Sequence, residues 1–152
     1  MNQKIDEHYM SLAIEEALLA ASEDEVPVGA LIVKEDNIIA TGRNRNRQKN
    51  NPILHAEIIA IEKAAAVFDN ERLTDCTLYV TKEPCVMCAG AIVHARITRV
   101  VIGTRDYRYG ACGTIISVCG NSVLNHIPEI EFGILEEENI KLLKDFFRAK
   151  RS

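Results

Sequence analysis

Pro84-Cys85-Val86-Met87-Cys88 lies between two apolar segments of different character. Before it, Thr77-Leu78-Tyr79-Val80-Thr81 is rich in β-branched and aromatic residues and reads as a strand. After it, Ala89-Gly90-Ala91-Ile92-Val93 reads as a buried helix. The two cysteines then fall at a helix N-terminus, three apart on one face. Unsatisfied N–H groups and the helix dipole favour negative charge there, and therefore thiolates. Pro84 suits such a start, because its missing N–H would find no partner anyway.

Working outward, strands alternate with helices on both sides. Residues 5–21 place Ile5, Tyr9, Met10, Leu12, Ile14, Ala17, Leu18 and Ala21 at helical spacing, with Glu15, Glu16 and Glu23 turned to water. Residues 26–33 are apolar and β-branched, Glu35-Asp36-Asn37 is a turn, and Ile38-Ile39-Ala40 returns, which predicts a hairpin. Gly29 in its first strand suggests a close backbone approach, expected to be that of a ligand. Residues 41–51 read as a polar loop carrying four cationic side chains and four asparagines. That composition fits a solvated loop or a lip for something anionic.

Asn51-Pro52 leads into a helix over 55–68, with Ile58, Ile61, Ala65 and Phe68 on one face. Residues 99–103 form an unbroken apolar strand, as in a sheet covered on both faces. Residues 104–113 form a polar loop, and 115–125 follow neither period. A last strand is expected at 130–134. A last helix opens on Glu136-Glu137-Glu138 and closes on Arg148, Lys150 and Arg151, the favourable dipole order. The sum is one α/β domain over residues 1–152, a three-layer sandwich.

Composition narrows the setting. With 152 residues, 47% of them apolar, the chain can build one packed core. The N-terminal residues lack the apolar core of a signal peptide, and no apolar run approaches the ~20 residues of a membrane span. Five cysteines, an odd number, fit reduced thiols, so a cytoplasmic location is expected. The net charge of −4 argues against a globally basic nucleic-acid binder but leaves room for a local basic patch.

His55-Ala56-Glu57, upstream of the cysteines, completes a metal constellation. His55, Cys85 and Cys88 supply one imidazole and two thiolates, which zinc accepts readily, leaving a fourth position for water. Zinc lowers the pKa of such a water towards ~7. Glu57, two residues beyond His55, can reach that water as a proton carrier without being a ligand. Three other readings share these residues. Cys-x-x-Cys between strand and helix also describes a redox pair. Cys76, Cys112 or Cys119 can close a structural zinc site. His55 can be a core residue.

The arrangement His-x-Glu followed by Pro-Cys-x-x-Cys resembles the zinc-dependent cytidine/deoxycytidylate deaminase family. Nearly the whole chain is similar to its tRNA-specific adenosine deaminases. The likeness runs through Val26-Pro27-Val28-Gly29-Ala30, Asn44-Arg45, His55-Ala56-Glu57-Ile58, residues 77–81, residues 83–92, Arg105-Asp106, Gly110, Gly113, Asn125-His126 and Asp145-Phe146-Phe147-Arg148. The chain departs from that pattern at Asn51, Ile53 and Leu54.

The resemblance implies a cytidine-deaminase-like α/β/α sandwich with a mixed sheet, one zinc per chain on His55, Cys85 and Cys88, and a homodimer. It implies hydrolytic conversion of adenosine to inosine at the wobble position of a tRNA anticodon loop, with Glu57 moving protons. Asn44 would hydrogen-bond the base and Val28 line its pocket, with Ala56, Asp106 and Phe147 as further substrate contacts. Arg43, Arg45, Arg47, Arg105, Arg108, Lys150 and Arg151 would gather the charge that RNA requires. The alternative is a zinc deaminase of a free base or nucleotide, of guanine, cytosine or deoxycytidylate type.

Overall fold

The computed structural model describes residues 2–151; Met1 and Ser152 lie outside the described residues. Nine elements follow in order. They are α1 (Gln3–Ser22), β1 (Gly29–Lys34), β2 (Asn37–Arg43), α2 (Ala56–Phe68), β3 (Thr77–Lys82), α3 (Val86–Ala95), β4 (Arg99–Thr104), β5 (Glu129–Phe132) and α4 (Glu136–Arg151). The sheet order is β2-β1-β3-β4-β5. β1 is antiparallel to both neighbours, whereas β3, β4 and β5 run parallel.

The hairpin turn is a two-residue one. Glu35 and Asp36 both adopt positive φ, 49° and 61°, the twist that lets antiparallel strands close without splaying. β4 is buried along its whole length, as its unbroken apolar sequence requires. Helices cover both faces. Ala56, Ala60 and Ala64 of α2 and Ala89 and Ile92 of α3 pack with Ile32, Leu78, Val80 and Val100 in one core. Tyr9, Met10 and Ala13 of α1 pack with Leu31, Tyr79 and Val101 in the other.

Several local expectations shift. The first strand begins at Gly29, not at residue 26, and β2 runs on through Thr41, Gly42 and Arg43, which read as loop. The reason is packing by α2: a Cβ on Gly42 would stand 2.3 Å from the Ala56 carbonyl oxygen. Gly29 does mark a close approach, but by α1, since a Cβ there would stand 2.0 Å from the Ala13 carbonyl oxygen. Ile5 and Leu18 are exposed, and α1 instead buries Asp6. Asp6 accepts two hydrogen bonds from Arg99, at 2.9 and 2.7 Å, and one from Tyr79 at 2.8 Å. This ionic cluster locks α1 onto β3 and β4. Glu16 and Glu23 do not simply face water, because both bind Arg43.

β1 is antiparallel to β2 and to β3, so β2 and β3 run parallel. Their carboxyl ends, with that of β4, open on one edge of the sheet. Ligands of open α/β sheets bind in the crevice outside that edge. The N-termini of α2 and α3 also start there.

Candidate metal centre and active-site pocket

His55 and Cys85 occupy equivalent positions: each is the N-cap residue of its helix, in extended conformation, and neither side chain caps its own helix. Instead the side chains face each other. Cys85 Sγ and Cys88 Sγ each lie 3.6 Å from His55 Nδ1. The three donor atoms all fall within 4.8 Å of one another. Tetrahedral zinc, with bonds of ~2.0–2.1 Å to nitrogen and ~2.3 Å to sulfur, sets those atoms about 3.6 Å apart. The residues therefore fit the ion.

Among the described residues no fourth histidine, cysteine or carboxylate joins the group. Cys76 is buried in the core. Cys112 and Cys119 lie with their sulfurs 3.0 Å from each other. None of these three thiols therefore joins the group as a fourth ligand.

The hydrogen bond from Cys88, helped by His55, draws the Cys85 thiol down to about 3 against burial. The Cys88 thiol is pushed up by its bond to Cys85 and by burial. His55 is raised by its bond to Cys85. Glu57, on the first turn of α2 and 3% exposed, has its carboxyl raised by burial.

Beside this group lies a cavity of about 390 Å³, within the ~300–1,000 Å³ range of small-ligand clefts. Val28, Asn44, His55, Glu57, Cys85 and Asp106 all line it. Asn44 has a double task. Its Oδ1 accepts the Ala56 N–H at 2.9 Å, which supplies the cap that His55 does not, and so its Nδ2 is the end left for a ligand. Asp106 accepts from the N–H groups of Arg108 and Tyr109 and meets Lys82 at 3.3 Å. Ala56 is fully buried and stands behind the lining. Phe147, 42% exposed on α4, packs edge-on against Phe146 and lies outside the pocket.

Sequence reasoning missed Lys82, Glu83, Val86, Ile115 and Ile116, which also line the pocket. Arg108 and Tyr109 line it too, whereas Tyr107 is 75% exposed. The expected cations divide. Arg43 is engaged by Glu16 and Glu23, Arg105 lies over the Phe132 ring and donates to Thr114, and Arg47 and Lys150 both meet Asp24.

Residues 3–104 match the family model of the cytidine and deoxycytidylate deaminase zinc-binding region. The chain belongs to that family. A tRNA-specific adenosine deaminase of Haemophilus influenzae is 43% identical over 152 residues, covering 99% of this chain and 88% of its own length. One of Agrobacterium fabrum is 42% identical over 144 residues, 95% of each chain. A solved structure from work on A-to-I editing by tRNA:A34 deaminases at the wobble position of transfer RNA is 40% identical. It superposes with a TM-score of 0.87, covering 90% of this chain and 99% of its own. This deaminase has the family's mixed-sheet α/β fold, and it is a zinc-dependent hydrolase.

Proposed function

We propose that the chain converts adenosine to inosine, releasing ammonia, at the wobble position of a tRNA anticodon loop. The observation that carries the reading is the placing of Glu57 and Asn44 in one pocket with the His55–Cys85–Cys88 group. The kinship with tRNA-specific adenosine deaminases supports this substrate over a free base or nucleotide.

His55, Cys85 and Cys88 would hold the zinc. Bound there, zinc supplies the Lewis acidity that makes water a nucleophile near neutral pH. Glu57 does the proton work. Its carboxylate takes a proton from the attacking water and delivers it to the purine ring as C6 becomes tetrahedral. It then carries the second proton to the departing amine, so that water and adenosine leave as inosine and ammonia. Burial raises its proton affinity, which suits a group that must both accept and donate. Asn44 Nδ2 donates to the base and Val28 packs on it.

Asp106 and Phe147 meet flanking nucleotides, and Ala56 backs the base pocket. Exposed apolar groups at the rim, Val86, Ile115 and Ile116, support burial against RNA or a second subunit, and the assembly is a homodimer. Among the described residues no helix is long and apolar enough to cross a membrane. The chain acts in the cytoplasm as one deaminase domain.

The test is incubation of the zinc-loaded protein with an anticodon stem-loop carrying adenosine at the wobble position, followed by assay for inosine there. Conversion of free bases or nucleotides without conversion of the stem-loop would overturn the reading.

A further inference from the structure

One wall of the pocket is the segment 105–116, which has almost no regular structure beyond a single bridge between Cys112 and Ser117. It nevertheless carries Asp106, Arg108, Tyr109, Ile115 and Ile116 into the pocket. Beside the segment's own backbone bonds, and that from the Ala111 N–H to the Pro84 carbonyl, one side chain from outside it binds it at four points. Glu83, between β3 and Cys85, is 2% exposed. Its Oε1 accepts from the Asp106 N–H at 3.1 Å and from the Thr114 hydroxyl. Its Oε2 accepts from the N–H groups of Cys112 at 3.0 Å and Thr114 at 3.1 Å.

Gly110 passes so close that a Cβ would stand 2.5 Å from the Glu83 carboxyl carbon. The segment is therefore wrapped around a buried carboxylate. A carboxylate offers about four lone-pair sites, and here all four are taken. Glu83 has none left for a substrate proton, so it is not a second proton carrier beside Glu57. Lys82, its neighbour in sequence, pairs with Asp106 at 3.3 Å, and Arg105 gives its hydrogen bond to Thr114 rather than to Glu83.

We infer that Glu83 is a positioning residue: its carboxylate folds the 105–116 wall into the shape that receives the substrate, and so it sets substrate affinity and not the chemical step. The inference rests on the RNA-deaminase reading for its substrate. Its geometric part, the ordering of 105–116 by Glu83, stands apart from that reading.

The test is Glu83→Gln in the zinc-loaded full chain. Glutamine keeps the shape and one acceptor oxygen, but sets an NH2 group against two donors. Amide exchange followed by mass spectrometry should show 105–116 exchanging at least ~10-fold faster, equivalent to about 1.4 kcal/mol, with 77–82 unchanged. KM for the anticodon stem-loop should rise about tenfold while kcat stays within about threefold and zinc content holds. A role in global stability alone would speed exchange in both segments and leave KM unmoved.

Unchanged exchange at 105–116, or a fall in kcat with KM unaltered, overturns the inference. Should Glu83→Gln fail to fold, Thr114→Val removes the hydroxyl donor to Glu83, together with the bond that hydroxyl accepts from Arg105, and keeps the Thr114 N–H donor. It should move exchange and KM in the same directions by about threefold, and no change in either also overturns it. If the wild type forms no inosine in the stem-loop, the substrate reading fails, and the exchange measurement still judges Glu83.

Discussion

The proposed function gives Asn44 two jobs, one at each end of its amide, and the jobs can be separated. Its Oδ1 satisfies the Ala56 N–H at 2.9 Å in a buried setting, and the residue lines the pocket, which leaves Nδ2 for the base. Asn44→Ala removes both. Loss of the cap leaves a buried donor unsatisfied, a cost of about 1–3 kcal/mol. At ~2–4 °C per kcal/mol for a chain of this size, Tm should fall by roughly 2–12 °C. Asn44→Asp keeps the acceptor, and its negative charge at the N-terminus of α2 is favourable. It replaces the donor with a second acceptor facing the base. Its Tm should therefore stay within a few degrees of wild type and its zinc content should hold. Single-turnover deamination of the stem-loop should nevertheless fall about 100-fold, because a site built to donate now presents lone pair to lone pair. The assay pairs a thermal melt with single-turnover kinetics and metal analysis on all three proteins. An Asn44→Asp variant deaminating at close to the wild-type rate would show that Asn44 holds only its helix, and the base-binding role would be withdrawn.

Glu57→Ala should bind zinc and melt normally but lose at least ~10²-fold in single-turnover rate, and a near-normal rate would remove Glu57 from the proton path. Zinc retention should weaken as pH falls, because binding must displace the raised Cys88 proton and, at lower pH, that of His55 as well. Each displaced proton costs about tenfold in affinity per pH unit, readable by competition with a chelator between pH 8 and 5. Asp6 is held below its ordinary 3.8; burial pulls the other way, but hydrogen bonds from Arg99 and Tyr79 outweigh it. Its folded pKa is depressed, so its stabilisation is present above about pH 4 and is lost as pH drops through the folded value. Asp6→Asn should flatten that acid limb and, by leaving Arg99 buried without its main partner, lower stability by about 3–5 kcal/mol in melts at pH 7. Phe147→Ala should weaken stem-loop binding roughly tenfold, the worth of one stacked base, with Tm almost unchanged; a lower Tm at unchanged affinity would make the ring a packing group.

The parts of the fold that could be read from the sequence are those governed by local period. β4 could be read because a doubly covered strand is apolar throughout, and the starts of α2 and α3 because a proline, Pro52 or Pro84, precedes each. The parts that could not be read depend on partners distant in sequence. Gly29 signalled a close approach, but only the fold shows that the approaching group is the backbone of α1. α2 buries Ala56, Ala60 and Ala64, small residues that a search for large apolar side chains ranks below Ile58 and Ile61. α4 docks through Asn139, whose amide donates to Ile134 and Leu135 carbonyls and fills the space that Gly103 leaves. Residues 115–125 showed no period because they form turns, bends and a single bridge at Ser117 and no regular element.

The acidity of the chain bears on how it can hold RNA. A net charge of −4 would repel a phosphate backbone if its carboxylates faced the pocket mouth. Several of them are turned inward. Asp6 is taken by Arg99, Glu16 and Glu23 by Arg43, and Glu83 by the 105–116 segment. Glu25 is fully buried and accepts from the N–H groups of Arg47 at 3.2 Å and Gln48 at 2.7 Å. It thus holds the loop that follows Asn44, as Glu83 holds donors of the 105–116 segment. Arg45 and Arg108, carried on those two segments, meet Gln48 and the Tyr109 ring, with the Glu23 carboxylate also acting on Arg45. The same buried carboxylates that lower the net charge therefore brace the loops that present cations outward. Substituting Arg45 or Arg108 should then reduce the salt slope of RNA binding by about 0.7 per lost phosphate contact, whereas Arg43, already neutralised by two glutamates, should leave the slope unchanged.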